Sequence, residues 1–211
     1  MSMDKPISDR IAMYGEQALS NEDLLTALLG RLAAQNLLAE FESLRQAGKA
    51  SIADLCTIPK IGRARATTVK ALFELARRLA SEDLKKGQSI RSPGDLASMF
   101  MSRLRDLPRE VFFLVCLDGR NSILCVRQMS EGSPTQAAPT IYSILHIAIG
   151  QGAAGIACTH NHPSGSTAPS NDDKRFTSDL KHVCDALQMK FIDHIIIGDN
   201  SFFSFTEAGL L

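Results

Sequence analysis

Three side chains able to bind a metal crowd into one short stretch, in which Thr159-His160-Asn161-His162-Pro163 is followed by Ser170-Asn171-Asp172-Asp173. The pattern is His-x-His, seven residues, Ser, two residues, Asp. On an extended segment side-chain direction repeats every second residue, so His160 and His162 project to one face and can share an ion. Asp173 lies far enough downstream for the chain to turn and bring a carboxylate back to the same point. Two nitrogens and one oxygen suit Zn²⁺ with its fourth position left for water, the open arrangement that catalytic zinc needs. Plainer readings stand beside this one. A single histidine on an apolar strand is usually a core or surface residue. Ser170-x-x-Asp173 also has the form of a capping box, in which Ser170 caps a helix and an acid in the first turn suits the helix dipole. The two readings are compatible, because a helix start fixes where Asp173 points and a metal site requires fixed ligands.

The spacing of these residues resembles the JAMM (MPN-domain) metalloprotease signature, and Thr159-His160-Asn161-His162-Pro163-Ser164-Gly165 resembles its bacterial RadC branch in particular. Asp193-His194-Ile195-Ile196-Ile197-Gly198 and the ending Glu207-Ala208-Gly209-Leu210-Leu211 extend the resemblance, which is strong from about Ser92 to Leu211 and weaker before. The resemblance implies a mixed β-sheet flanked by helices, of cytidine-deaminase-like form. It implies zinc held by His160, His162 and Asp173, and a general base at Glu110, which matches the glutamate opening the family's first strand. It also gives Ser170 a hydrogen bond to the attacking water or the developing oxyanion, a donor worth about 2.7–4 kcal/mol in an ideal case. A DNA-repair label travels with the RadC branch as well.

The residues bear on the base independently. Peptide hydrolysis needs a group to take a proton from water and pass it to the leaving amine, and a carboxylate serves if its site raises its pKa. Glu110 begins an apolar run that reads as a buried strand, where an acid needs a reason to be. The alternative is a solvated acid beside Arg109 at a strand edge. Glu131, after a strand and before a loop, is the reserve candidate. Asp193 and His194 begin a strand and could approach the metal as a third ligand or as a support behind the ligands, but read more readily as a packed or hydrogen-bonded pair. His146 and His182 receive no function.

With 211 residues and 45% hydrophobic composition, the chain can bury one large or two modest cores. Twenty-three basic and twenty-three acidic residues cancel, so a case for nucleic acid must rest on local charge. Cys56, Cys116, Cys125, Cys158 and Cys184 are scattered and form no C-x-x-C, which reads as reduced thiols of a cytoplasmic protein. The N-terminus has no apolar signal region. The longest apolar stretch, Ile141 to Cys158, holds His146, Gln151 and glycines at 150, 152 and 155, and reads as helix, turn and strand rather than a membrane span.

Residues 1–83 read as a small all-helical domain, 84–91 as a polar linker and 92–211 as the metal-binding domain. Ser20-x-x-Asp23 starts a helix near residue 21, a second runs from about Ala33 to Gln46, and Ser51 opens a short third. Residues 52–79 look like a helix-hairpin-helix, in which Ile58-Pro59-Lys60-Ile61-Gly62 turns into a helix with Val69, Leu72, Phe73, Ala76 and Leu79 on one stripe. Such a turn presents backbone N–H groups to a phosphate, and Lys60, Arg63, Arg65 and Lys70 add positive charge with no acid among them, which fits non-specific DNA contact through residues 58–70. The family's turn usually carries glycine where this chain has Lys60.

In 92–211 the pattern predicts a helix after Ser92 and a hairpin from Glu110 to Met129 around Asp118-Gly119-Arg120-Asn121. A loop from Glu131 to Pro139, a helix Thr140–Gly150 and a strand ending at Thr159 follow. A helix from Ser170 and strands over 191–197 and 201–205 complete it. The leading functional expectation is a zinc hydrolase cutting an amide or isopeptide bond in a peptide or protein. The competing ones are a non-catalytic DNA-associated protein with a metal-stabilised scaffold, and a metal-dependent nuclease. For the nuclease, the literal letters His-Asn-His are a coincidence, because the motif of that name spreads over a hairpin and a helix.

Overall fold

Serine followed three residues later by aspartate recurs at Ser20, Ser51, Ser92 and Ser170, and each pair closes a capping box. The serine hydroxyl accepts the N–H of the third helical residue, whose carboxylate accepts the serine N–H in return. These boxes set four helix starts in a computed structural model that describes residues 5–79, 87–131 and 139–211. The chain divides into two compact units, Met1–Ala76 and Arg77–Leu211.

The first unit holds α1 (Ile7–Tyr14), a 3₁₀ turn (Glu16–Ala18), α2 (Asn21–Leu29), α3 (Arg31–Glu40), α4 (Leu44–Lys49), α5 (Ile52–Thr57) and most of α6 (Arg63–Leu79). Leu25, Leu29, Ala34, Leu37, Leu55, Ile61 and Val69 form its core. Arg10 of α1 grips Asp23 with two 2.7 Å bonds, and that contact, helped by Ser20, pulls the Asp23 carboxyl down to about 2. The single helix expected from Ala33 to Gln46 is broken. Phe41 is extended, and the Ser43 hydroxyl accepts the Gln46 N–H to start α4 afresh, a local bond that competes with helix continuation.

In the turn before α6, Lys60 occupies a left-handed position at φ 69°. Arg65 donates to the Lys60 carbonyl (2.7 Å) and Asn36 to the Pro59 carbonyl (2.7 Å), so the turn is held from two sides. Lys70 is a correction to the proposed cationic face. Its ammonium is turned inward onto the Gly48 and Ala50 carbonyls at 2.7 and 3.0 Å. Lys60, Arg63 and Arg65 are exposed.

The second unit contains α7 (Pro93–Leu104), β1 (Val111–Leu117), β2 (Ile123–Glu131), α8 (Ile141–Gly150), β3 (Gly155–Asn161), α9 (Asn171–Ala186), β4 (Lys190–Ile197) and β5 (Phe202–Ser204). Their mixed sheet has the order β2-β1-β3-β4-β5, with β3 and β4 parallel and the other neighbours antiparallel. Strand alternation divides β1 between two cores. Phe113, Val115 and Leu117 meet Leu96, Phe100 and Leu104 of α7 on one face. Phe112, Leu114 and Cys116 meet Ile144 and Ala148 of α8 and Leu180 and Cys184 of α9 on the other. Both faces of β1 and β3 are covered, which is why β1 and the first half of β3 are apolar without alternation.

Part of the expected linker belongs to this unit. Gly87 N–H bonds the Ile123 carbonyl (2.9 Å), Ile123 N–H the Gln88 carbonyl (2.8 Å) and Ile90 N–H the Asn121 carbonyl (2.9 Å), while the Ile90 side chain is buried in the α7 core. Residues 80–86 lie outside the described residues. So do 132–138 of the loop expected after β2, together with the side chain of Glu131. Among the described residues no helix is long and apolar enough to cross a membrane.

A side chain at positive φ strains the backbone by about 1–2 kcal/mol, of which glycine's extra unfolded-state freedom returns roughly half. Lys60→Gly therefore stabilises the first unit by about 0.5–1 kcal/mol, seen as a higher urea midpoint with unchanged slope. A lower midpoint would contradict the strained turn.

Candidate metal centre

Phe112 of β1 pairs with His160 of β3, and continuing this antiparallel register two residues sets Glu110 level with His162. The strand ends at Asn161, and the His162 N–H still bonds the Ile197 carbonyl at 3.3 Å, so the extended path continues past the end of β3 and the period-2 argument holds for both histidines. α9 then begins at Ser170. Its box orients Asp173, whose Oδ2 accepts the Ser170 N–H (2.8 Å) and hydroxyl (2.6 Å). The Asp173 carboxylate is thereby aimed at the histidines: Oδ1 lies 3.3 Å from His160 Nε2 and Oδ2 lies 3.4 Å from His162 Nε2. The two Nε2 atoms are 3.1 Å apart, and one ligand atom from each of the three residues lies within 4.8 Å of the others. Glu110 Oε1 stands 3.9 Å from His160 Nε2.

This donor set fits a cation. His162 Nδ1 faces the Ser166 carbonyl at 3.1 Å, and a carbonyl only accepts, so that nitrogen carries the proton and Nε2 turns its lone pair inward. A lone pair of His162 and two carboxylate oxygens then converge on the His160 nitrogen, which is repulsive unless a cation or a shared proton lies among them. The imidazole and carboxylate types suit zinc.

Burial and charge push the groups apart in acidity. Burial lowers His160 to about 4, against the attraction of Asp173. The Asp173 carboxylate, which can accept a hydrogen bond from the protonated ring, raises His162 above its ordinary value, against partial burial. Burial alone would raise Asp173, but bonds from His162 and Ser170 and the proximity of His160 together outweigh it and hold this carboxyl well below the usual range. Glu110 is raised by burial, with His162 opposing and Asp173 reinforcing.

Three residues support the cluster from behind, and of these Asn161 and Thr177 were not singled out from sequence. Asn161, between the histidines, accepts the Val111 N–H (2.9 Å) and donates to the Arg109 carbonyl (3.0 Å), so it clamps the backbone on both sides of Glu110. His194 contacts His160 Nδ1 through its own Nε2 at 2.9 Å, and Thr177 Oγ1 lies 2.6 Å from His194 Nδ1. Thr177 carried no signal beyond its place one turn after Asp173. The sequence reading of Asp193-His194 as hydrogen-bonded agrees with the contacts. Buried Asp193 accepts from His194 N–H, Ser204 Oγ and Thr206 N–H at 2.7, 2.5 and 3.0 Å.

Ser170 Oγ–H points to Asp173, so here the hydroxyl orients the carboxylate. His146, stacked on Tyr142, and His182 are exposed on α8 and α9, away from the cluster. Lys60, Arg63, Arg65 and Lys70 lie in the other unit.

The loop after His162 is pinned at Gly198. A β-carbon there would meet the Gly165 carbonyl and the Thr167 methyl at 2.5 Å, so only glycine lets the 163–167 turn approach β4. Gly165 itself sits at φ 79° and closes the turn with its N–H on the His162 carbonyl. The turn that supplies Ser166 to His162 is thus set by two glycines.

Comparison with known proteins agrees with this architecture. A family model described as RadC-like JAB domain matches residues 90–210, which span the whole sheet and all the residues of the cluster. A UPF0758 protein of Trichlorobacter lovleyi is 36% identical over 214 residues, covering 96% of this chain and 93% of the relative. One from Staphylococcus epidermidis is 36% identical over 217 residues, covering 99% and 96%, and one from Flavobacterium johnsoniae is 30% identical over 215 residues, covering 98% and 93%. The sheet, the flanking helices and the match over 90–210 together place this chain in the RadC-like JAB domain family.

Proposed function

We propose that this protein is a zinc-dependent hydrolase that cleaves an amide or isopeptide bond in a peptide or protein substrate. The observation that carries the reading is the convergence of His160, His162 and Asp173 within 4.8 Å, with the raised carboxyl of Glu110 beside them. His160, His162 and Asp173 would hold the ion, which when bound supplies a Lewis acid and makes a water more acidic. Glu110 would take the proton from the attacking water and deliver it to the leaving amine. An acid lifted by burial suits both halves of that task, being basic enough to accept and acidic enough to donate. Ser170 would donate its hydroxyl proton to the developing oxyanion, and its backbone N–H keeps Asp173 in place when the hydroxyl turns away.

A second reading concerns the first unit. Lys60, Arg63 and Arg65 stand exposed at the turn before α6, and that placement favours non-specific contact with a DNA backbone. The unit would then bring the hydrolase, or a scaffold without catalysis, to DNA. Retention of random duplex DNA that weakens with salt and drops in a Lys60→Ala/Arg63→Ala variant supports it. Equal retention by both proteins sinks it.

Glu110→Gln is expected to keep stoichiometric zinc and lose amide hydrolysis by about 10²–10⁴-fold. Undiminished turnover removes Glu110 from the base role, and a wild type that holds zinc but never turns over favours the scaffold. Zinc retention should also depend on pH with a definite sign. The raised pKa of His162 lets protons compete for this ligand at and above the ordinary histidine value, whereas His160, lowered to about 4, stays unprotonated. Affinity measured by chelator competition therefore falls as pH drops from about 8 to 6, with close to one proton taken up per ion released. Uptake of two protons over this range would contradict the burial of His160.

A further inference from the structure

We infer that Thr177 and His194 act as positioning residues that fix His160 as the Nδ1–H tautomer, so that its Nε2 lone pair stands in the site before any ion arrives. The direction of every proton follows from one end of a chain of hydrogen bonds. Thr177 Oγ1 lies 2.6 Å from the Asp173 carbonyl, which can only accept, so the single hydroxyl proton of Thr177 is committed there. His194 Nδ1, also 2.6 Å from that oxygen, must then be the donor. A neutral imidazole carries one N–H, so His194 Nε2 has none and accepts. The atom facing it at 2.9 Å is His160 Nδ1, which must donate. The remaining nitrogen of His160 is left with a free lone pair, pointed at His162 and Asp173.

Both rings are buried with no room to turn. His194 has no exposed surface and His160 only 1%, which disfavours a second proton on either. Phe205 stacks on His194 (5.1 Å between centroids, 12° between planes) and Phe112 on His160 (5.9 Å, 6°). The chain joins three elements: β3 supplies His160, β4 supplies His194, and α9 supplies both Thr177 and the carbonyl of Asp173. Asp173 therefore takes part twice, its carboxylate facing the histidines and its backbone oxygen ending the relay that orients one of them. His162 needs no such relay, since a backbone carbonyl sets its tautomer directly.

The tautomer itself stands on hydrogen bonds alone; its consequence for zinc rests on the hydrolase reading above. Nitrogen-detected imidazole NMR of the zinc-free protein at neutral pH reads it. His160 Nε2 is expected to show the unprotonated signature and Nδ1 the protonated one, and the reverse pattern would overturn the inference whatever the metal does. Thr177→Val removes the acceptor of His194 Nδ1–H at nearly constant volume. His194 then gains by moving its proton to Nε2, which reverses the bond to His160 and places a hydrogen on His160 Nε2. The variant should show that reversed pattern and bind zinc about 10–100-fold more weakly, while Thr177→Ser, which keeps the hydroxyl, restores both. An unchanged His160 tautomer in folded Thr177→Val would overturn the part given to Thr177. Wild-type protein with the expected tautomer but no measurable zinc affinity would support the relay and remove the hydrolase reading instead.

Discussion

Electron pairs of like kind do not gather at a point unless something holds them there, and the second unit is built around doing so. The His162 nitrogen, the Asp173 oxygens and the His160 nitrogen meet within 4.8 Å. Separate elements resist their mutual repulsion. The β1–β3 register fixes His160 opposite Phe112, a capping box fixes Asp173, and the close approach at Gly198 fixes the turn that grips His162. These restraints belong to the sheet and to the first turn of α9, so the backbone and the cap place the cluster before any ion is considered. That the folded chain tolerates such convergence is the physical ground for assigning it a cation.

The two carboxylates of the site differ because their surroundings differ. Asp173 accepts both the N–H and the hydroxyl of Ser170 and faces two imidazoles, and these contacts stabilise its charge more than partial burial destabilises it. Glu110 sits half-buried at the mouth of β1, its backbone clamped by Asn161, and there burial prevails and its pKa rises. Their surroundings thus push the two acids in opposite directions, Asp173 towards its charged form and Glu110 towards its protonated one. The same separation appears in the histidines, with His160 driven down and His162 up.

Much of this was legible in the sequence because it is local. Period-2 spacing placed the histidines, the Ser-x-x-Asp box placed Asp173, and an apolar run marked β1 as a buried strand. The break in the expected 33–46 helix was missed because Ser43 competes as a cap inside a run that otherwise keeps helical character. Residues 87–91 were read as linker because polar, turn-rich composition does not reveal that the backbone pairs with the start of β2. The relay through His194 and Thr177 was out of reach for a different reason. It joins positions on separate elements through side-chain geometry, and no spacing rule connects a threonine on one helix with histidines on two strands.

The four capping boxes show how little separates structure from site. In each, one carboxylate oxygen is tied to the serine, and the outcome depends on what faces the rest of that carboxylate. At Asp23 it is Arg10, whose two 2.7 Å bonds neutralise the acid and join α1 to α2. At Asp54 and Asp95 the bonds made are to nearby backbone and cap groups, and the boxes only begin helices. At Asp173 the other oxygen meets His160, an imidazole that burial keeps neutral and that therefore brings no charge to balance it. A capped aspartate facing an arginine is already neutralised; a capped aspartate facing the neutral imidazole of His160 leaves a place for a positive charge, and that difference, rather than the box, sets Ser170-x-x-Asp173 apart as a candidate site.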